Sequence, residues 1–94
     1  MARLRTHPGE VLREEYLGPL GMRARALAKA LRVPANRLTE IMREERGMST
    51  DTAIRLGRYF ATDPRFWLNL QSAYDLSKAE QKNDYSGIRK RPAA

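Results

Sequence analysis

Apolar residues along this chain recur three and four positions apart, in short runs separated by proline, glycine and capping residues, and nowhere alternate as a half-buried strand requires. The pattern predicts five helices and no strand. The first opens at Pro8, because proline at a first helical position gives up only an N–H that would have no partner there. Val11, Leu12 and Tyr16 line one side of it, Glu10, Glu14 and Glu15 fall mostly elsewhere, and Gly18-Pro19 is expected to stop it near Leu17. The second, about Arg23 to Leu31, sets Ala24, Leu27, Ala28 and Leu31 on one face and leaves Arg23, Arg25 and Lys29 off it. After a turn of three or four residues a third helix begins at Pro34 or Ala35 and runs to Met42 or Arg43, with Leu38, Ile41 and Met42 apolar. Val33, just ahead of its cap, is placed to pack on Leu38 and fix the angle at which the chain arrives. Ser49, followed by Thr50, Asp51 and Thr52, caps a fourth helix that carries Ala53, Leu56, Gly57 and Phe60 and closes near Ala61. Asp63-Pro64 opens a fifth, with Phe66, Trp67, Leu70, Ala73 and Tyr74 on a broad apolar surface, fading near Ala79 or Glu80.

These elements fill one all-α domain over 1–80, and 94 residues leave no room for a second. Residues 81–94 have little to bury and carry Arg89-Lys90-Arg91, which predicts a disordered basic tail. The chain has no cysteine, so disulfides, thiolate metal sites and cysteine nucleophiles are excluded together. No apolar run approaches the roughly 18 residues of a spanning helix, and the charged start Met1-Ala2-Arg3-Leu4-Arg5 leads into no apolar signal core. A soluble, cytoplasmic protein with no membrane partner is expected.

Charge narrows the class further. Eighteen Lys and Arg face 11 Asp and Glu, a formal +7 that favours a polyanionic partner. The distribution says more than the sum: Arg23, Arg25, Lys29, Arg32 and Arg37 lie between Tyr16 and Thr39 with no acidic residue among them. A merely solvated face more often interleaves both signs, as Arg43-Glu44-Glu45-Arg46 does next.

Two short helices joined by a tight turn can lay one helix across the DNA backbone and insert the other into the major groove. Close packing of such a pair needs a small residue in the middle of the first helix and aliphatic residues inside the second, demands met by Ala28 and by Leu38 and Ile41. Helix-turn-helix function is therefore read over about 23–43. Ala35, Asn36, Arg37, Thr39, Glu40 and Arg43 point outward from the third helix and are the expected base contacts, Asn36, Arg37 and Thr39 foremost: asparagine reads adenine, arginine grips guanine at two points, and a threonine or alanine methyl meets a thymine methyl. Arg23, Arg25, Lys29, Arg32 and Arg46 suit phosphates, joined by Ser49, Thr50 and the N–H groups that open the fourth helix. Phe66, Trp67, Leu70 and Tyr74 offer more apolar surface than a small domain covers and are the expected dimer interface, with a core role also expected of at least Trp67 and Leu70; the 64–80 helix is the expected dimerisation element.

The segments His7-Pro8-Gly9-Glu10-Val11-Leu12, Leu27-Ala28-Lys29-Ala30-Leu31, Asn36-Arg37-Leu38-Thr39-Glu40-Ile41, Thr52-Ala53-Ile54-Arg55-Leu56 and Phe66-Trp67-Leu68-Asn69-Leu70-Gln71 resemble the HigA family of antitoxins, within the wider Xre or lambda-repressor-like group. The resemblance covers about residues 7–80 in order. It implies a five-helix lambda-repressor-like domain, a homodimer on a palindromic operator that represses its own operon, and neutralisation of a HigB-type toxin, an mRNA-cleaving enzyme. One position departs from the family: Arg32 stands where the turn often has glycine, so either a non-glycine residue is strained there or the turn differs, and an extra charge is directed at phosphate.

Other classes fit less well. An enzyme has little to work with, since His7 is the single histidine, sits at a helix start where capping or exposure is its ordinary role, and has no second histidine or cysteine for a metal site or triad. Glu14 with Glu15, and Glu44 with Glu45, are sequence neighbours about 100° apart on a helix and do not face one another. No cofactor, metal or small-molecule substrate is expected. An orphan Xre-type regulator without a toxin would use the same motif equally well and stands as the alternative.

Overall fold

The computed structural model describes residues 4–93, so Met1 to Arg3, part of the charged start of the 1–80 domain, and Ala94, the end of the expected tail, lie outside the described residues. Five helices run through the described chain: α1 (residues 8–20), α2 (Ala24–Leu31), α3 (Ala35–Met42), α4 (Thr50–Phe60) and α5 (Pro64–Lys82). Their N-termini follow local chemistry. His7 caps α1 by accepting the Gly9 N–H on its imidazole Nδ1 at 2.9 Å, Ser49 Oγ accepts from the Thr52 N–H at 3.2 Å, and Asp63 Oδ1 accepts from the Arg65 N–H at 2.9 Å ahead of Pro64.

Gly18-Pro19 does not stop α1, contrary to the sequence expectation. The helix opens as α-helix over Pro8–Val11, widens into a π turn over Leu12–Leu17, and closes as α-helix over Gly18–Leu20. In an α-helix residues five apart diverge by about 140°, whereas i to i+5 bonding stacks them. The π turn thus brings Leu17 round beside Leu12 so that both are buried, while Glu14 and Glu15 stay in solvent. It also changes the bonding pattern just where Pro19 could not supply the N–H of a regular ladder. Gly21, at φ 61°, then ends the helix in the left-handed conformation that glycine adopts without a Cβ penalty.

The core lies where α1 to α4 converge on the start of α5. Leu12, Leu27, Leu38, Ile41, Leu56 and Trp67 are buried with no exposure, and Ala28 supplies the small residue at the α2–α3 contact. Val33 packs against this core immediately before α3, as its placement ahead of Leu38 predicts. Two backbones approach too closely for a side chain: a Cβ on Gly9 would collide with the Ile41 carbonyl, and one on Gly57 would sit 2.6 Å from the Thr62 carbonyl. α5 extends to Lys82, about two residues past the expected end, and buries only Trp67 and Ser77; residues 83–93 are exposed.

Candidate nucleic-acid interface

α2 and α3 pack face to face through a turn whose pivot is Arg32, at φ 60° and ψ 47°. Of the two readings left by the sequence, the strained turn is the one adopted: a side chain occupies left-handed backbone, at a cost of about 1–2 kcal/mol. Arg55 braces this turn from α4 by donating from its Nη1 to the carbonyls of Leu31 at 2.7 Å and Arg32 at 3.4 Å, which α2 leaves unpaired at its C-terminus. At the other end of the pair, Arg13 Nη1 donates to the Met42 carbonyl at 2.6 Å, tying the end of α3 to α1.

With Leu38 and Ile41 buried, the geometry of an eight-residue helix places Asn36, Thr39, Glu40 and Arg43 on one outward stripe, flanked by Ala35 on one side and Arg37 on the other. Ala35, Asn36 and Arg43 are exposed, while Arg37, Thr39 and Glu40 are half-buried; none is hidden. Pro34 stands at the N-cap of α3 and contributes no side-chain cap. The stripe is already partly ordered. Asn36 Nδ2 donates to Glu40 Oε2 at 3.4 Å, Thr39 Oγ1 donates to the Asn36 carbonyl at 3.2 Å, and Arg46 pairs with Glu40 at 2.8 Å. Glu40 and Arg46, assigned from sequence to bases and to phosphate respectively, are therefore partners of one another in the free chain.

The basic residues in and next to α2 lie near one another. Arg23, Arg25 and Lys29 line one side of a groove shared with Leu20, Met22 and Tyr59, and Arg32 continues it beside Arg55 and Arg58. Ser49 and Thr50 differ in what they can offer. The Ser49 hydroxyl caps α4 and donates to Thr52 Oγ1 at 3.0 Å, whereas Thr50 is exposed at the first helical position.

Sequence reasoning missed Asp51 and Arg55. Asp51 Oδ2 accepts from Arg37 Nη1 at 2.8 Å and from Arg55 Nε at 2.9 Å. The hydrogen bond from Arg55, with that from Arg37, holds the Asp51 carboxyl below the usual carboxylate range despite some desolvation. An acid followed four residues later by a base on one helix is the signal that could have found half of this group.

The four residues assigned to a dimer interface separate. Trp67 has no exposure: its indole lies in the core with Nε1 donating to Thr62 Oγ1 at 3.0 Å, so it has no surface to give a partner and that assignment is corrected. Leu70 and Tyr74 are half-buried, Tyr74 edge-on to His7 with ring centroids 4.8 Å apart, and Phe66 remains 39% exposed. The apolar face of α5 continues instead through Ala73 to Leu76, with Leu4 alongside, both leucines being large and exposed. Among the described residues no group of three or more His, Cys, Asp or Glu is placed to hold a metal ion, and no helix is long and apolar enough to cross a membrane.

A buried scaffold that holds one short helix with a polar outer stripe, beside a second helix flanked by cations, defines a helix-turn-helix domain. A Pseudomonas aeruginosa protein solved in complex with its 18-base-pair operator DNA is 46% identical, with 97% of this chain and 100% of that chain covered and a TM-score of 0.90. The Pseudomonas aeruginosa antitoxin HigA, solved with the higBA promoter, is 48% identical over 93% of this chain and 97% of its own, with a TM-score of 0.87. Virulence-associated protein I of Dichelobacter nodosus is 63% identical over 75 residues, 80% of this chain and 69% of that protein. No family model matches the sequence. On the strength of these relatives, the chain belongs to the HigA family of helix-turn-helix antitoxins.

Proposed function

We propose that two copies of this chain bind a palindromic operator through α3, repress their own operon, and neutralise a HigB-type mRNA-cleaving toxin in the cytoplasm. The protein acts by binding and not by catalysis, and takes no cofactor. The observation that carries DNA recognition is the outward stripe of α3: Asn36, Thr39, Glu40 and Arg43 face away from a helix whose opposite side, Leu38 and Ile41, is without exposure. Two relatives of nearly the same length were solved with operator or promoter DNA, which supports the same use of this surface here. Dimerisation is supported by the exposed apolar face of α5, Phe66 to Leu76, and by the geometry of operators, whose half-sites about 34 Å apart are matched by a two-fold protein. Leu70 and Tyr74 flank that face.

Asn36→Ala and Arg37→Ala are expected to lower affinity for a selected operator by about 1–3 kcal/mol each and to relax sequence preference. Arg25→Ala and Lys29→Ala should weaken binding to every duplex and flatten its salt dependence. Quantitative footprinting tells these apart, and unchanged preference in both α3 variants would overturn the assignment. Relatives named as transcriptional regulators favour a second reading, a regulator with no toxin. Co-expression with the product of an adjacent reading frame decides between them: a small basic protein that co-purifies and whose RNA cleavage is blocked supports the antitoxin, and the lack of any such gene supports the regulator.

A further inference from the structure

An arginine reads a base best when its guanidinium arrives already oriented, because ordering so long a side chain at the moment of contact costs conformational entropy. Arg37 is the flanking residue of the reading stripe, and its orientation is set from outside α3. Its Nη1 lies 2.8 Å from Asp51 Oδ2. The same oxygen takes Arg55 Nε at 2.9 Å, and Arg55 is anchored in turn on the Leu31 and Arg32 carbonyls. A continuous hydrogen-bonded line therefore runs from the pivot of the helix-turn-helix, through α4, to the edge of the reading surface.

Energy alone does not account for this line. Side-chain exposures of 29% for Arg37, 38% for Arg55 and 57% for Asp51 leave each ion pair well screened by solvent and of little worth to stability. Placement does account for it: Asp51 sits in the first turn of α4, where the helix dipole favours a carboxylate. It is thus fixed to a backbone that does not turn with Arg37. The contact engages one of the five guanidinium N–H donors, leaving a fork able to address a base edge.

We infer that Asp51, held by Arg55, is a specificity-determining positioning residue that orders the Arg37 guanidinium before DNA arrives, so that Arg37 discriminates between bases instead of settling on the nearest phosphate. The inference rests on the operator-binding reading above. A carboxylate near DNA also repels phosphate, but that effect weakens binding to every duplex alike, whereas positioning acts on the ratio of specific to non-specific affinity.

The test uses the full chain, a duplex that it enriches from random DNA, and a scrambled duplex of equal length and composition, titrated by fluorescence anisotropy with wild type, D51N, R37A and the double variant. D51N should bind the scrambled duplex more tightly because a negative charge is gone, yet the ratio of the two affinities should fall about tenfold. In the R37A background the same substitution should leave the ratio within about twofold. A ratio untouched by D51N, or lowered as much without Arg37, overturns the inference. Should thermal melts find D51N unfolded at the assay temperature, Arg55→Gln removes the anchor instead: its lost positive charge should weaken binding to both duplexes, the ratio of the two affinities should still fall about tenfold, and an untouched ratio overturns the inference. A wild-type chain that enriches no sequence overturns the operator reading itself; one that enriches a sequence but is indifferent to these variants overturns only the positioning role.

Discussion

α3 and α5 both rest on one core, and they use it in opposite ways. α3 is short, and its inner residues Leu38 and Ile41 vanish from solvent, with its last turn pressed on Gly9 and tied by Arg13. α5 is 19 residues long, yet buries only Trp67 and Ser77. Beyond that it presents Phe66 and Leu76 to solvent, with Leu4 beside them. The lesson is that apolar content does not tell how firmly a helix is held; close backbone approach does. α3 is held fast because its neighbours leave it no volume, and α5 keeps apolar surface in reserve because nothing among the described residues comes close enough to cover it.

This contrast is easiest to break on the tight side. Gly9→Ala adds a single methyl where the Ile41 carbonyl already stands, and a urea midpoint should report a loss of about 3 kcal/mol, since overpacked backbone cannot relax as a side chain can. Leu76→Asp makes a far larger chemical change on the loose side. Sedimentation should find the dissociation constant of the proposed dimer raised about tenfold or more, while the denaturation of dilute monomer hardly moves; an equal loss of monomer stability would mean that α5 is as tightly held as α3. Arg32→Gly sharpens the comparison from within the helix pair: relieving left-handed backbone at φ 60° should raise stability by about 1 kcal/mol, read from the same urea midpoint.

The smallest expected effect is a slope. Burial pushes the His7 imidazole below its ordinary 6.5, with Lys78 adding to the fall and Glu44 and Asp75 opposing it. As pH drops below about 6.5 the unfolded chain therefore gains a proton that native His7 still refuses, so this group removes stability progressively until the native imidazole is itself protonated; above 6.5 it contributes no slope. Urea midpoints at pH 5.5 and 7.5 should differ in that sense. His7→Asn, which keeps a capping acceptor, should shrink the difference.

What the sequence makes legible is local. His7-Pro8, Ser49 and Asp63-Pro64 announce three helix starts because each capping group reaches only two or three residues along its own chain. The 23–43 pair is legible because its packing residues obey one helical period, and the absence of glycine at Arg32 flags the strained pivot. The π turn in α1 is not legible, since it exists to bury Leu17 beside Leu12 against elements elsewhere in the chain. Nor are the contacts of Arg13 with Met42, Arg55 with Leu31 and Arg37 with Asp51, which join residues 29, 24 and 14 positions apart. Trp67 carries both readings, core and shared surface, and it is the fold enclosing its indole that decides for the core.

The π turn of α1 has a consequence for how this chain can vary over its descent. Deleting any one residue from 13 to 16 would restore the regular pitch and leave Leu17 four positions after Leu12, still on the buried face, but would set the Pro19 ring against an intact ladder. The proline is therefore tolerable only in the company of the surplus residue, and homologues one residue shorter in this helix should lack the proline too.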